Sequence, residues 1–263
     1  MKLFNISISA LVVTLVCVAC GSEKPGAVAE KSGAFAGKSE AKGTPSAALA
    51  EKNTAHVASP FQPEDFLGGD KLSSELLEGL EVQKTEVTYA HYSALNPLLP
   101  VAHQSPWLAK DCYGGRIPQG TPPNYPAACI SAKDAEAYTE ALNSVDTNYF
   151  YSLLSERDFT ILADLTRRAM GGPQVDVSKF AWLRGNDGAH AVCMKIDFLG
   201  LCDIFGNLAE WTRSSGGYRI IGGSYDSFLM RDREGRSSLP GLRNSDVGFR
   251  LVRVPLDGDK DEK

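Results

Sequence analysis

Long apolar runs and excess basic charge are both scarce in this sequence. After the first twenty residues no second hydrophobic segment follows, so a chain that crosses a membrane repeatedly is excluded. Lys and Arg number 27 against 32 Asp and Glu, a formal net charge of −5. With no basic stripe carrying interleaved aromatics, this argues against nucleic acid as a partner. There are only four histidines, and no cysteine follows Cys202. No P-loop, no metal-hydrolase spacing and no nucleophile beside a placed base can be found. His103 and His190 are the histidines expected in irregular backbone, where a lone imidazole is more often structural than catalytic.

What is present begins with a leader. Lys2 supplies a positive start, and residues 6–18 form a short, mostly apolar run ending in Val18-Ala19-Cys20. That run is too brief to span a bilayer comfortably and suits a signal-peptide core. A cysteine directly after a small residue is the lipoprotein variant, in which the thiol takes a diacylglycerol before cleavage. Cys17-Val18-Ala19-Cys20 resembles a lipobox, with Cys17 where Leu is commoner. The expectation is a signal peptide over residues 1–19 and a lipid (diacylglycerol and palmitate) on Cys20. Gly21, rather than Asp, points to the outer membrane if the host is Gram-negative. Which side of the cell envelope the chain faces stays open.

Residues 20–59 are rich in Ala, Gly, Ser, Lys and Glu, with almost no large apolar side chain beyond Phe35. Such a stretch buries too little surface to offset its ordering entropy. As a flexible tether it would reach roughly 30 to 40 Å. Residues 60–256 are long enough for one sizeable core, and residues 257–263 form a charged tail.

Six cysteines occur, Cys17 in the leader and Cys20 directly after it. The remaining four, Cys112, Cys129, Cys193 and Cys202, are an even number in an exported chain, which reads as disulfides. Three connectivities exist. Nearest-neighbour pairing, Cys112 with Cys129 and Cys193 with Cys202, is the one adopted. Zinc is the weaker reading, because these four contain no CxxC pair and His190 is the only imidazole nearby.

Three helices are predicted. Thr88 caps the first, with Tyr89, Tyr92 and Leu95 on one face and Pro97 as its stop. Ser131 caps the second, with Asp134 three residues on as a capping-box partner and Ala135, Tyr138, Ala141 and Leu142 as an apolar stripe. Ser155 and Asp158 open the third. Phe159, Leu162, Ala163 and Thr166 share its face, Arg167 and Arg168 suit its negative end, and Gly171-Gly172 stops it. Residues 217–221 and 249–254 have strand composition. Residues 172–216 hold little periodicity, which in a folded domain is usually functional or held by disulfides or metal.

Six blocks in order then carry a resemblance. Glu86-Val87-Thr88-Tyr89-Ala90-His91-Tyr92 resembles "EVTNAQY", and Ile130 through Tyr138 is similar to "VSWEDAxAY". Leu153 through Phe159 resembles "LPTEAEW", and Gly200 through Trp211 follows "GLYDMxGNVWEW". Gly222-Gly223-Ser224-Tyr225 matches "GGSW", and Gly248 through Arg253 matches "GFRLVR". These belong to the formylglycine-generating enzyme, or sulfatase-modifying factor, family. The resemblance covers about residues 66–253 and implies an α+β, loop-rich, C-type-lectin-like fold of the sulfatase-modifying factor type.

The resemblance also implies a calcium ion held by the Asp203 and Glu210 carboxylates and the Gly206 and Leu208 carbonyls, an oxygen set suited to a hard cation. The family's second calcium site does not map onto residues 187–197. The family's enzymes hold copper(I) between two thiolates just after "GGS". Here those positions fall at about Ser227 and Asp232, hard ligands unsuited to copper(I), so no copper is expected.

Two functions are carried forward. The first is a non-catalytic binding or assembly module whose partner is an envelope protein or a surface ligand. It would use Tyr225, Phe228, Met230, Arg231, Arg233, Arg236 and Arg243, since aromatics and Arg are enriched in interfaces. The second is an enzyme of the same family with divergent, non-copper chemistry.

Overall fold

Polar caps and alternating burial account for most of the elements in the computed structural model. It describes residues 57–68, 72, 77, 79–108, 110, 112–113, 122–185, 187–195, 198–227 and 235–256. The expected signal peptide, Cys20, most of the tether and the tail lie outside the described residues. In chain order the strands are β1 (Phe66–Gly68), β2 (Glu81–Gln83), β3 (Cys112–Tyr113), β4 (Tyr149–Leu153), β5 (Ala209–Ser214), β6 (Gly217–Ile221), β7 (Arg236–Ser237), β8 (Arg243–Asn244), β9 (Val247–Phe249) and β10 (Leu251–Pro255). The α-helices are α1 (Tyr89–Leu95), α2 (Ala132–Val145) and α3 (Glu156–Ala169). The fold is mixed α+β and loop-rich.

Each helix starts where a hydroxyl can accept an orphan backbone N–H. Thr88 accepts from the His91 amide, Ser131 from Asp134 and Ser155 from Asp158. At α2 the box closes fully, because the Asp134 carboxylate also takes the Ser131 amide at 2.8 Å. At α3 the Asp158 carboxylate takes the Ser155 hydroxyl at 2.6 Å instead. Gly171 and Gly172, at φ +126° and +101°, bond back to the Arg168 and Arg167 carbonyls and end α3.

One antiparallel sheet has the order β1-β2-β10-β4, and a second has the order β7-β6-β5-β9, with β9 parallel to β5. The first sheet is apolar on both faces, following strand alternation. Phe66, Tyr151, Leu153 and Leu251 join the cluster under α1 and α2. Leu67, Val82 and Val252 join the cluster under α3. At the outer edge of β4, the Asn143 side chain bonds both the N–H and the C=O of Tyr151, at 2.7 and 3.0 Å. One amide thus stands in for a missing neighbour strand.

Two expectations change here. The strand expected over residues 249–254 is broken at Arg250. Phe249 ends β9 in one sheet and Leu251 begins β10 in the other. The break lets the buried Arg250 turn away from both strands toward carboxylates. The strand β5 was hidden in a segment read as irregular. Its first four residues are all buried, so it lacks the alternation that marks a half-exposed strand. Its Trp211 is fully buried and donates its indole N–H to the Ile130 carbonyl at 2.7 Å. Disulfides join Cys112 to Cys129 and Cys193 to Cys202.

Candidate functional site

The turn ahead of β5 is built from unusual backbone. Asp203, Gly206 and Asn207 lie at φ +54°, +81° and +57°. A side chain at Gly206 would run into the Trp182 main chain. Asn207 holds the turn to a neighbouring loop: its carboxamide accepts from the His190 amide at 2.9 Å and donates to the His190 carbonyl at 3.2 Å. Trp182 and His190 stack beneath this turn, with ring centroids 3.6 Å apart.

Behind the turn, three carboxyl groups surround one guanidinium. Arg250 is fully buried and bonds Glu210 at 2.9 Å, the Gln83 carbonyl at 3.0 Å and the Cys202 carbonyl at 2.8 Å. Glu210 is itself buried. Glu86 is buried and accepts from the Leu208 amide at 3.3 Å through one oxygen, while its other oxygen, also buried, has no partner. Asp203 accepts from the Cys193 amide at 2.8 Å. Burial pushes all three carboxyls above the usual carboxylate range. The Asp203 charge lifts Glu86 further, and Arg250 opposes the rise at Glu210. A lone buried carboxylate is costly, and three carboxyls against Arg250, helped only at Asp203 by Lys195, leave positive charge short.

That deficit is the observation that bears on calcium. Asp203, Glu210 and the carbonyls of Gly206 and Leu208 offer only oxygen, the donor type a hard cation takes, and both Glu210 oxygens accept from Arg250 in this structure. Among the described residues no group of three or more His, Cys, Asp or Glu side chains is gathered tightly enough to hold a metal by itself. The fit therefore depends on main-chain oxygens. Copper(I) is a different matter. Cys112, Cys129, Cys193 and Cys202 are all in disulfides, and Asp232 lies outside the described residues. Ser227 is hydrogen-bonded into a polar chain: it accepts from the Ser224 amide at 3.1 Å and meets the Ser224 hydroxyl at 3.0 Å, which in turn donates to Asp246 at 2.8 Å. Nothing in that set suits copper(I).

The expected recognition face is redistributed. Tyr225 is buried, with its hydroxyl against Ser245, and packs with Ala128 and Leu208. Arg243 is drawn into the domain by Asp134, at 2.6 and 2.7 Å. Neither is displayed as an exposed recognition residue, because each satisfies an internal polar group instead. Arg236 is exposed on β7, 3.9 Å from Asp246. Phe228, Met230, Arg231 and Arg233 lie outside the described residues. His103 is engaged with Asp134 at 2.7 Å. Sequence reasoning assigned no role to Glu86 or Arg250, although both stand inside quoted blocks. The signal was available: each is a charge placed directly against apolar residues, Val87 on one side and Phe249 and Leu251 on the other.

Residues 70–255 match the family model described as a sulfatase-modifying factor enzyme 1-like domain. No curated protein matches significantly. Among solved structures, Treponema denticola variable protein 1 is similar at 18% identity and TM-score 0.52, over 67% of this chain and 84% of that one. CarF is similar at 22% identity and TM-score 0.51, over 68% and 87%. PvdO from Pseudomonas aeruginosa is similar at 18% identity and TM-score 0.52, over 66% and 80%. At these identities the likeness establishes the fold.

Proposed function

The chain belongs to the sulfatase-modifying factor enzyme 1-like family, and on that premise we propose that it is a non-catalytic binding or assembly module of the cell envelope, anchored through a lipid on Cys20. The observation that carries the reading is Ser227. By the family resemblance it falls at about the position of one copper thiolate, and hydrogen bonds with Ser224 hold it. No cysteine follows Cys202 that could replace it. A scaffold can outlive its chemistry, because fold and function are separable. One structural relative is named a variable protein, and a rigid frame bearing changeable loops suits a binder.

In this reading Asp203, Glu210 and the Gly206 and Leu208 carbonyls hold a structural calcium ion. When bound, the ion supplies positive charge to the carboxylate cluster and rigidity to the turn. Asn207 and Arg250 orient that turn from either side. The outward partner is an envelope protein or a surface ligand. Crosslinking in intact cells followed by mass spectrometry tests this: a reproducible envelope partner supports it.

The chemistry has its own test. Purified protein incubated with copper(I), oxygen and a cysteine-containing sulfatase peptide should leave the peptide mass unchanged. Aldehyde formation above a protein-free control would overturn the non-catalytic reading.

A further inference from the structure

The loop closed by Cys193 and Cys202 forces two side chains into backbone they disfavour. Phe198 and Leu201 exchange both main-chain hydrogen bonds, at 3.1 and 3.0 Å, so Leu199-Gly200 is the two-residue turn of a tight hairpin. The turn places Leu199 at φ +60° and Gly200 at φ +78°. Asn-Gly is the pair that such a turn favours, because both central residues must be left-handed. A side chain as bulky as leucine is disfavoured there. Cys193, at the start of the same loop, is also left-handed, at φ +60°. Leu199 and Cys193 therefore store strain in one short loop.

The two ends of the loop differ. Cys202 is buried, and its amide donates to the Lys84 carbonyl at 2.9 Å. Cys193 is exposed, and its amide donates to the Asp203 carboxylate at 2.8 Å. The disulfide is thus open to attack from the Cys193 side. The Cys112–Cys129 bond makes the contrast. Cys129 shares the left-handed backbone, but it is fully buried, and its amide donates to the Asn244 carbonyl at 3.1 Å. Cys112 is paired with Arg243 between β3 and β8. Disulfides that are strained or exposed are the easily reduced ones, whereas structural ones resist.

We propose that Cys193–Cys202 is a redox latch on the 203–208 turn, opened by an external dithiol while Cys112–Cys129 stays closed. One thiolate of the dithiol attacks the Cys193 sulfur, and Cys202 leaves as a thiolate and takes up a proton. The second thiol of the reductant then displaces Cys193, which is protonated in turn. Two electrons pass to the protein, and the reductant ends as a disulfide. With the loop cut, the strained hairpin relaxes and the Cys193 amide leaves Asp203. The neighbouring His190, held by Asn207 through its amide and its carbonyl, is loosened with it. The latch does not depend on calcium.

The test places the full-length protein, in detergent and with chelator present, in buffers of reduced and oxidised dithiothreitol. Alkylation and peptide mapping read each cysteine. Cys193 and Cys202 should become alkylated at a reduced-to-oxidised ratio about tenfold or more below the one that Cys112 and Cys129 need. Exchange of the Cys193 and His190 amides, followed by NMR, should speed up about tenfold or more in the same step. Leu199→Asn suits the left-handed turn and should demand about fivefold more reductant. The measurements on the parent protein decide the matter if Leu199→Asn fails to fold. Cys112–Cys129 opening first, or all four cysteines opening together, overturns the proposal. So does reduction of Cys193–Cys202 that leaves both amides unchanged, or a folded Leu199→Asn protein that opens at the parent's ratio.

Discussion

Asp134 shows how one side chain can join three segments. Its carboxylate takes Arg243 from β8, His103 from the loop after α1, and the Ser131 amide and hydroxyl at the α2 cap. Burial by itself would raise its pKa, but Arg243, Ser131 and His103 outweigh burial and hold the carboxyl below the usual range. The stabilisation is therefore present above the unfolded value, about 4, and is lost as pH falls through the lower folded value. Asp134→Asn should cost about 3–5 kcal/mol, because it takes the carboxylate from a largely buried guanidinium, and urea unfolding at neutral pH measures it. Glu86 has the opposite sign. Its raised pKa means stability that is present below about 4.5 and lost as pH rises through the folded value. Glu86→Gln should therefore gain on the parent protein as pH rises toward neutrality in chelator. Glu210→Gln should lose stability there, since it removes the Arg250 partner. Equal effects from the two variants would contradict the assignment.

Among the elements, α1 is short and depends on its cap. Its box is unusual because the third helical residue is His91, whose Nδ1 accepts from the Thr88 amide at 3.4 Å. An imidazole can accept there only while neutral. Burial pulls the His91 pKa below its ordinary value. The cap is thus intact above about pH 6.5, the unfolded value, and its stabilisation is lost as pH falls through the lower folded value. Melting curves between pH 7 and 5 should show a slope that His91→Gln flattens. A slope of equal size in His91→Gln would place the titration elsewhere. The caps Ser131 and Ser155 were legible as short patterns, since a hydroxyl followed three residues later by a carboxylate has one local geometry. Strand β5 was not legible. Its burial on both faces is set by partners far away in sequence, such as Ile130, which takes the Trp211 indole N–H, and Arg250, which meets Glu210.

At the scale of the whole molecule, two disulfides and the carboxylate cluster restrain the loop-rich half of the domain. Cys193 and Cys202 bracket the loop that carries the amide bonded to Asp203, so this disulfide and the turn support each other. If calcium occupies the turn at about 100 times its dissociation constant, it adds roughly 2.7 kcal/mol by mass action. Chelation should then lower the melting temperature, and Glu210→Gln should abolish that sensitivity. An unchanged melting curve in excess chelator, with no metal in the purified protein, would leave the turn to hydrogen bonds alone. Anchoring is a separate matter. Cys20→Ser should abolish palmitate labelling, and labelling that persists would remove the lipid-anchor reading.

Features that depend on neighbours a few residues apart, or on residue type, are legible in the chain before it folds. The helix starts at Thr88, Ser131 and Ser155, the stop at Gly171-Gly172, the ordered family blocks and the missing thiolate at Ser227 all read from local pattern. Cap geometry and ligand softness need no tertiary context. Which charges go inside is set by long-range packing. Arg250 and Glu210 stand forty residues apart, and Glu86 meets Leu208 across 122 residues. Only the folding of two sheets around the 203–208 turn brings them together. It also moved Tyr225 and Arg243 from an expected surface into internal contacts, because a buried hydroxyl and a buried carboxylate must find partners.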